Sequence, residues 1–243
     1  MRDDPTVAGD GGWADSAAAY MAFQDAGDRN RTQLLDPVML RLCGEVAGAR
    51  VLDFGCGEGR FSRMLAERGA RCAGIDPTLP MLRAAHERGS IDAVRAIGER
   101  TPFRDATFDL VVSYVTLVDI RGYREAIAEM ARVLRPGGAI VVANLGFPTA
   151  SYGWKRDEQG NRLYQMIDRY ADEFAQVFEW SGIKIRNYHR PLSSYMEAYL
   201  GAGLRLTHFE EPLPDDESPR DDPYAEDWFR VPIFTVMRWV REK

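Results

Sequence analysis

The stretch from Arg50 to Pro77, RVLDFGCGEGRFSRMLAERGARCAGIDP, constrains this chain more than any other. An apolar run, Val51-Leu52-Asp53-Phe54, leads into Gly55, Gly57 and Gly59, and then into an amphipathic segment with Phe61, Met64 and Leu65 at helical spacing. A second apolar run, Cys72-Ala73-Gly74-Ile75, ends in Asp76. Strand, glycine turn, helix, strand and acid in that order predict one βαβ unit of about thirty residues. Such a unit belongs to an open parallel sheet that binds its ligand beyond the carboxyl ends of the strands.

The glycines leave no side chain between backbone and ligand. The helix that follows points free N–H groups and the positive end of its dipole at the same spot. Asp76, closing the second strand, is suited to accept two hydroxyl hydrogen bonds from a ribose. The order Gly55-Cys56-Gly57-Glu58-Gly59-Arg60 departs from the dinucleotide spacing G-x-G-x-x-G, because Arg60 stands where the third glycine would be. No Gly-Lys-Ser/Thr follows the turn, which excludes a P-loop. Asp53 would repel a pyrophosphate but would suit an ammonium or sulfonium group. The pattern points to a cationic nucleoside without phosphates.

Val51 to Gly59 resembles the first motif of class I S-adenosylmethionine-dependent methyltransferases, and Asp76 resembles that family's ribose-binding acid. Gly98-Glu99-Arg100-Thr101-Pro102-Phe103 is similar to its adenine-side loop, Phe108 to Ser113 to its fourth strand, and Leu134 to Gly138 to the turn before its fifth. The motifs keep the family's order from roughly Leu34 to Leu145, and the small-molecule branch is the most similar. The resemblance implies an α/β fold, a Rossmann-like seven-stranded, mostly parallel sheet with an antiparallel last strand, an N-terminal helical cover and an inserted cap. It implies S-adenosylmethionine as cofactor, S-adenosylhomocysteine as product, and a small organic acceptor methylated on oxygen or nitrogen. The implied cofactor set is Asp53, Gly55, Cys56, Gly57, Asp76, Pro77, Met81, Ile97, Gly98, Glu99 and Ser113. Tyr20, Phe23 and Arg31 of the cover would close over it, with Arg31 pairing the cofactor's carboxylate. Two other readings stay open: a non-catalytic nucleoside-binding protein whose cap serves a partner, and transfer of another group from the same cofactor.

Composition narrows the remaining classes. At 243 residues, 45% hydrophobic and 28% charged, the chain suits one large domain or a domain with an insertion. A net charge of −6 without a long basic run argues against nucleic acid as the main partner. No eighteen-residue apolar span suggests a membrane segment. Cys43, Cys56 and Cys72 are odd in number and contain no C-x-x-C, which fits a cytoplasmic, reducing setting and argues against structural zinc. His86, His189 and His208 are too scattered for a metal site.

Residues 1–47 read as an Asp- and Gly-rich tail to Gly12, a helix from Trp13 to Phe23, and a second helix to Cys43 with Asp36 as N-cap and Pro37 at its first position. Residues 48–146 form the nucleoside-binding core, and 147–190 the inserted cap. In the cap, Leu163, Ile167, Tyr170, Phe174 and Phe178 recur at helical spacing, predicting one packed helix face, and Ile183 to Tyr188 alternates as a strand does. An aromatic cap suits a planar or apolar acceptor, and the same aromatics could instead fill the cap's own core or a homodimer interface. Tyr114, Trp154, Tyr164 and Arg190 are the candidate acceptor contacts. His189 and Asp119 are the candidate bases, against a histidine satisfied at a helix start and an acid capping a helix. Residues 191–243 supply a helix and the last two strands, joined by a surface loop over Pro212 to Asp227.

Overall fold

The computed structural model describes residues 10–89, 91–214 and 223–242, so the tail predicted for residues 1–9 lies outside the described residues. The N-terminal cover is α1 (Trp13–Asp25) followed by a π-helical turn (Asn30–Leu35) that runs directly into α2 (Asp36–Cys43). The core follows as β1 (Arg50–Phe54), α3 (Arg60–Ala66), β2 (Arg71–Asp76), α4 (Leu79–Arg88), β3 (Asp92–Arg95), β4 (Phe108–Tyr114), α5 (Tyr123–Val133) and β5 (Leu134–Leu145). Next come β6 (Ser151–Arg156), β7 (Arg162–Ile167), β8 (Phe174–Trp180), β9 (Ile183–His189), α6 (Leu192–Gly201), β10 (Leu204–Glu210), α7 (Pro223–Arg230) and β11 (Phe234–Arg241).

The main sheet has seven strands in the order β10-β11-β5-β4-β1-β2-β3. Its strands are parallel from β5 to β3, and β11 runs antiparallel to both β5 and β10. Helices cover both faces, so the central strands have no solvent side, and their apolar runs are continuous rather than alternating. Leu52 and Phe54 of β1 pack with Tyr123, Ile127, Met130 and Tyr199 on the face of α5 and α6. Val51, one residue ahead of Leu52 and so on the opposite face, packs with Val38, Met39, Phe61 and Leu65 on the face of α2 and α3. Each strand thus feeds two cores by alternation, and the expected doubly wound sheet is observed.

Three expectations need correction. Asp36 does not cap α2. The π-helical turn enters the helix without a break, and the Asp36 carboxylate instead accepts hydrogen bonds from Arg60 and from the Tyr114 hydroxyl. The predicted helix face across 163–178 is two antiparallel ribbons, β6–β7 and β8–β9. Residues four apart share a face in a strand as well as in a helix, so the spacing of Leu163 and Ile167, or of Phe174 and Phe178, does not separate the two. The turns decide: Gly160 at φ 87° and Gly182 at φ 77° close the two hairpins. Finally, the predicted 212–227 loop is partly helical, since Pro223–Arg230 forms α7 and buries Trp228 against the second core. Residues 215–222 of that loop lie outside the described residues.

Candidate active site

A cavity of about 490 Å³ opens beyond the carboxyl ends of β1, β2 and β4. This is where the strand order reverses, the usual crevice of an open α/β sheet. One half of its wall is backbone. Gly55 and Cys56 both donate their N–H groups to Ile75 O, at 2.9 Å each, which folds the glycine loop tightly over the end of β2. Gly55 sits at φ 83°, and a Cβ there would stand 2.1 Å from Thr116 Cγ2. Gly57, at φ 52°, has nothing within 4 Å of where its Cβ would be, so its bare backbone faces open cavity. Gly98 forms the opposite lip, where a Cβ would come within 2.7 Å of the Phe54 ring.

Two carboxylates are buried in this half. Asp76 accepts from Gly57 N–H at 3.0 Å and Thr78 N–H at 2.8 Å, and burial raises its pKa above the ordinary carboxylate value. Asp53 accepts from Ser62 Oγ at 2.6 Å; burial, reinforced by the nearby Asp76 charge, pushes it up to about 6. Arg31 across the cavity lowers the Asp53 pKa without overcoming burial, and acids so under-compensated favour a positively charged ligand.

The other half of the wall is built from side chains. The Trp13 and Tyr20 rings of α1 meet edge to face with centroids 5.0 Å apart. Arg31 donates to the Tyr20 hydroxyl, pairs with Asp28 at 3.3 Å and lies 4.6 Å over the Tyr114 ring. Arg60 binds Asp36 through both terminal nitrogens, tying α3 to α2. β9 closes this side: Ser16 Oγ donates to Lys184 O and accepts from Lys184 N–H, both at 3.0 Å, and Arg186 N–H donates to Gly11 O at 2.9 Å. Tyr188 N–H donates to Val118 O at 2.6 Å, fixing the turn after β4.

The cavity brings together Asp53, Gly55, Cys56, Gly57, Asp76, Pro77, Met81, Ile97, Gly98 and Glu99 with Tyr20, Arg31, Tyr114 and Asp119. It does not bring in Phe23 of α1, nor Ser113, which is buried in β4. His189 is also elsewhere. Its Nε2 faces Tyr170 O at 2.9 Å and so donates, its Nδ1 meets Thr149 Oγ1 at 2.7 Å, and burial lowers its pKa. With both nitrogens engaged and the ring between Tyr170 and Phe174, it organises the second ribbon rather than facing a substrate. Arg190 is buried, donating to the carbonyls of Leu117, Ile120 and Arg121, so it holds a turn and does not reach an acceptor. Trp154 lines a separate hollow beside Trp228, with the Arg230 guanidinium 4.5 Å over its ring. Tyr164 is 58% exposed on β7.

Sequence reasoning missed Trp13, Arg186, Asn187 and Tyr188. The signal for two of them was present: the alternation through 183–188 puts Arg186 and Tyr188 two apart, on one face of a strand. No cluster of His, Cys, Asp and Glu among the described residues could hold a metal ion.

A cationic nucleoside fits what lines the cavity. The volume lies within the range of about 300–1,000 Å³ usual for small-ligand sites. Bare glycine backbone, the ribose-type acid Asp76 and the second acid Asp53 stand on one side of it.

Comparison with known proteins agrees with this geometry. Residues 52–142 match the family described as a methyltransferase domain. The chain is 33% identical over 136 residues to a demethylmenaquinone methyltransferase of Renibacterium salmoninarum, covering 56% of this chain and 57% of that protein. It is 36% identical over 172 residues to a malonyl-[acyl-carrier protein] O-methyltransferase of Salmonella typhimurium, covering 67% of each. Among solved structures, an S-adenosylmethionine-dependent methyltransferase from Mesorhizobium loti superposes with a TM-score of 0.76 at 27% identity, covering 89% of this chain and 99% of that one. Over several of the curated relatives it matches, the chain spans only about half their length, 57%, 44% and 49% of three of them.

Proposed function

The chain belongs to the class I S-adenosylmethionine-dependent methyltransferase family, and from that premise we propose that it methylates a small organic acceptor on oxygen or nitrogen. The observation that carries the reading is the pairing, in one cavity, of a bare glycine loop with the buried acids Asp53 and Asp76. S-adenosylmethionine, when bound, supplies a methyl group already activated on a sulfonium sulfur. What remains for the protein is alignment and exclusion of water.

Asp76 would accept the ribose hydroxyls, and Ile97 and Gly98 would border the adenine, with Pro77, Met81 and Glu99 beside them. Asp53 would balance positive charge, and the backbone of Gly55, Cys56 and Gly57 would let the ligand approach closely. Arg31, held by Tyr20, would take the carboxylate. In this division residues 48–146 hold the cofactor, the cover within 1–47 closes over it, 147–190 cap the acceptor, and 191–243 complete the sheet. The aromatic groups of Trp13, Tyr20, Tyr114 and Tyr188 along the cavity wall support a planar or apolar acceptor body. Cys43, Cys56 and Cys72 are free thiols, as a reducing, cytoplasmic setting would keep them. No helix among the described residues is long and apolar enough to cross a membrane.

The test is a panel of hydroxyl and amine acceptors incubated with S-adenosylmethionine and read by mass. A gain of one methyl group is expected. A larger adduct would indicate transfer of another group, and no adduct with any acceptor would favour a binding role alone.

A further inference from the structure

Asp119 is half-buried in the cavity wall, on the turn that follows β4. Two segments distant in the chain converge on it, and its own turn holds it from below. Asn187 of β9 donates its amide to Oδ1 at 2.6 Å, the Trp13 side chain of α1 bonds the same carboxylate, and Asp119 N–H closes its own turn onto Thr116 O at 2.9 Å. The turn is clamped from behind by Tyr188 N–H on Val118 O and by Arg190 on three carbonyls. This is an elaborate way to hold one acid. Both of its side-chain donors are neutral, and a carboxylate withdrawn from most of its water and held by neutral donors is poorly compensated.

The surrounding charges do not restore the balance. Burial dominates and pushes the Asp119 pKa up to about 8; Arg31 on the π-helical turn lowers it and Asp76 at the end of β2 raises it. Arg121 of its own turn, Arg186 of β9 and Asp10 ahead of α1 also face the cavity. An acid with proton affinity near neutrality is well matched to receiving a proton. In the cavity it stands among Trp13, Tyr20 and Tyr188, on the wall formed by α1 and β9.

We propose that Asp119 binds the methyl acceptor, accepting a hydrogen bond from its hydroxyl or amine and then its proton, so that the substrate is a protic compound with an aromatic or apolar body. Trp13 and Asn187 are positioning residues for that carboxylate. In the proton step the acceptor's O–H or N–H bond breaks, an O–H bond forms on Asp119, and the electron pair stays on the acceptor atom. The inference rests on the methyl-transfer reading but concerns the other half of the cavity.

The experiment uses the whole chain loaded with S-adenosylhomocysteine and two probes of the same shape, phenol and toluene, with binding read by ligand-observed NMR. At about pH 9, where an acid of pKa about 8 is ionised, wild type is expected to hold phenol about tenfold more tightly, as one hydrogen bond to a charged group allows. Asp119→Leu should lose that preference and still bind S-adenosylhomocysteine. Asp119→Asn keeps the shape and should lose most of it, which guards against a misfolded leucine variant. Equal binding of the two probes to wild type, binding of neither, or a phenol preference that survives both substitutions would overturn the assignment. Failure of S-adenosylhomocysteine itself to bind would instead sink the methyl-transfer reading, and this inference with it.

Discussion

The two halves of the cavity are made of different material. The half beneath β1 and β2 is backbone and short acids, fixed by parallel strands buried on both faces. The half formed by α1 and β9 is aromatic and charged side chain, carried on a helix and a two-stranded ribbon joined by a few hydrogen bonds. A two-stranded ribbon has little stability of its own, so this half depends on those bonds and on the turn after β4. The first half can recognise one ligand with little room for variation. The second can change its side chains without disturbing the sheet, and it is where a family of enzymes sharing one donor would differ in acceptor.

The comparison can be broken hardest at the glycine loop. Gly55→Val places a side chain where Thr116 Cγ2 already lies 2.1 Å from a Cβ, at φ 83°. Backbone strain of about 1–3 kcal/mol and overpacking of about 1–3 kcal/mol then add. Denaturant unfolding should show a loss of that combined size, with no nucleoside binding. Gly57→Val meets only strain, because nothing lies within 4 Å of its Cβ. It should stay folded, lose only the strain part of about 1–3 kcal/mol, and lose binding, so equal destabilisation of the two variants would contradict the account of the loop.

Acidity sharpens the contrast next. Burial raises Asp119 to about 8 and Asp53 to about 6, from 3.8 for each. Between about pH 4 and pH 8 these two acids hold more protons in the folded chain than in the unfolded one, and the stability they govern falls as pH rises through that window. The ligand-free protein should melt at a lower temperature at pH 8 than at pH 5, with a difference of a few kcal/mol. Asp119→Asn should flatten the upper part of the curve, from about pH 6 to pH 8, and leave the Asp53 part. A flat wild-type profile would mean that neither acid is as buried as described.

The smallest effect belongs to the seam between cover and ribbon. Ser16→Ala removes both hydrogen bonds to Lys184 and should lower stability by about 1–2 kcal/mol. Hydrogen exchange should quicken in α1 and β9 and stay unchanged in α3 and α4. Uniform acceleration would show that the two halves open as one unit.

Much of the first half was legible in the chain. Glycine spacing, a strand-ending acid and an apolar run covered on both faces are local signals, and Gly55, Gly57, Asp53 and Asp76 stand at one end of the sheet because the βαβ unit leaves few alternatives. The second half was not, because its wall is assembled from residues far apart in sequence. Trp13 and Asn187 meet only at Asp119, and nothing near either one announces the other. The spacing of Leu163, Ile167, Phe174 and Phe178 fits a helix and a strand equally well, and the turns at Gly160 and Gly182 held the deciding information. His189 read as a base because imidazole titrates near neutrality. Whether its nitrogens were already engaged depended on Thr149 and Tyr170, whose positions only the fold reveals.

The central claim is that the glycine half holds a cationic nucleoside without phosphates. Calorimetric titration of wild type and Asp76→Ala with S-adenosylmethionine, S-adenosylhomocysteine and NAD tests it most directly. Wild type should bind the first two at micromolar concentration and NAD not at all. Asp76→Ala should bind more weakly by about 1.5–3 kcal/mol, the usual worth of hydrogen bonds to a charged group. Binding of NAD, or of neither adenosyl compound, would contradict the claim, and unchanged affinity in Asp76→Ala would remove that acid from the ribose.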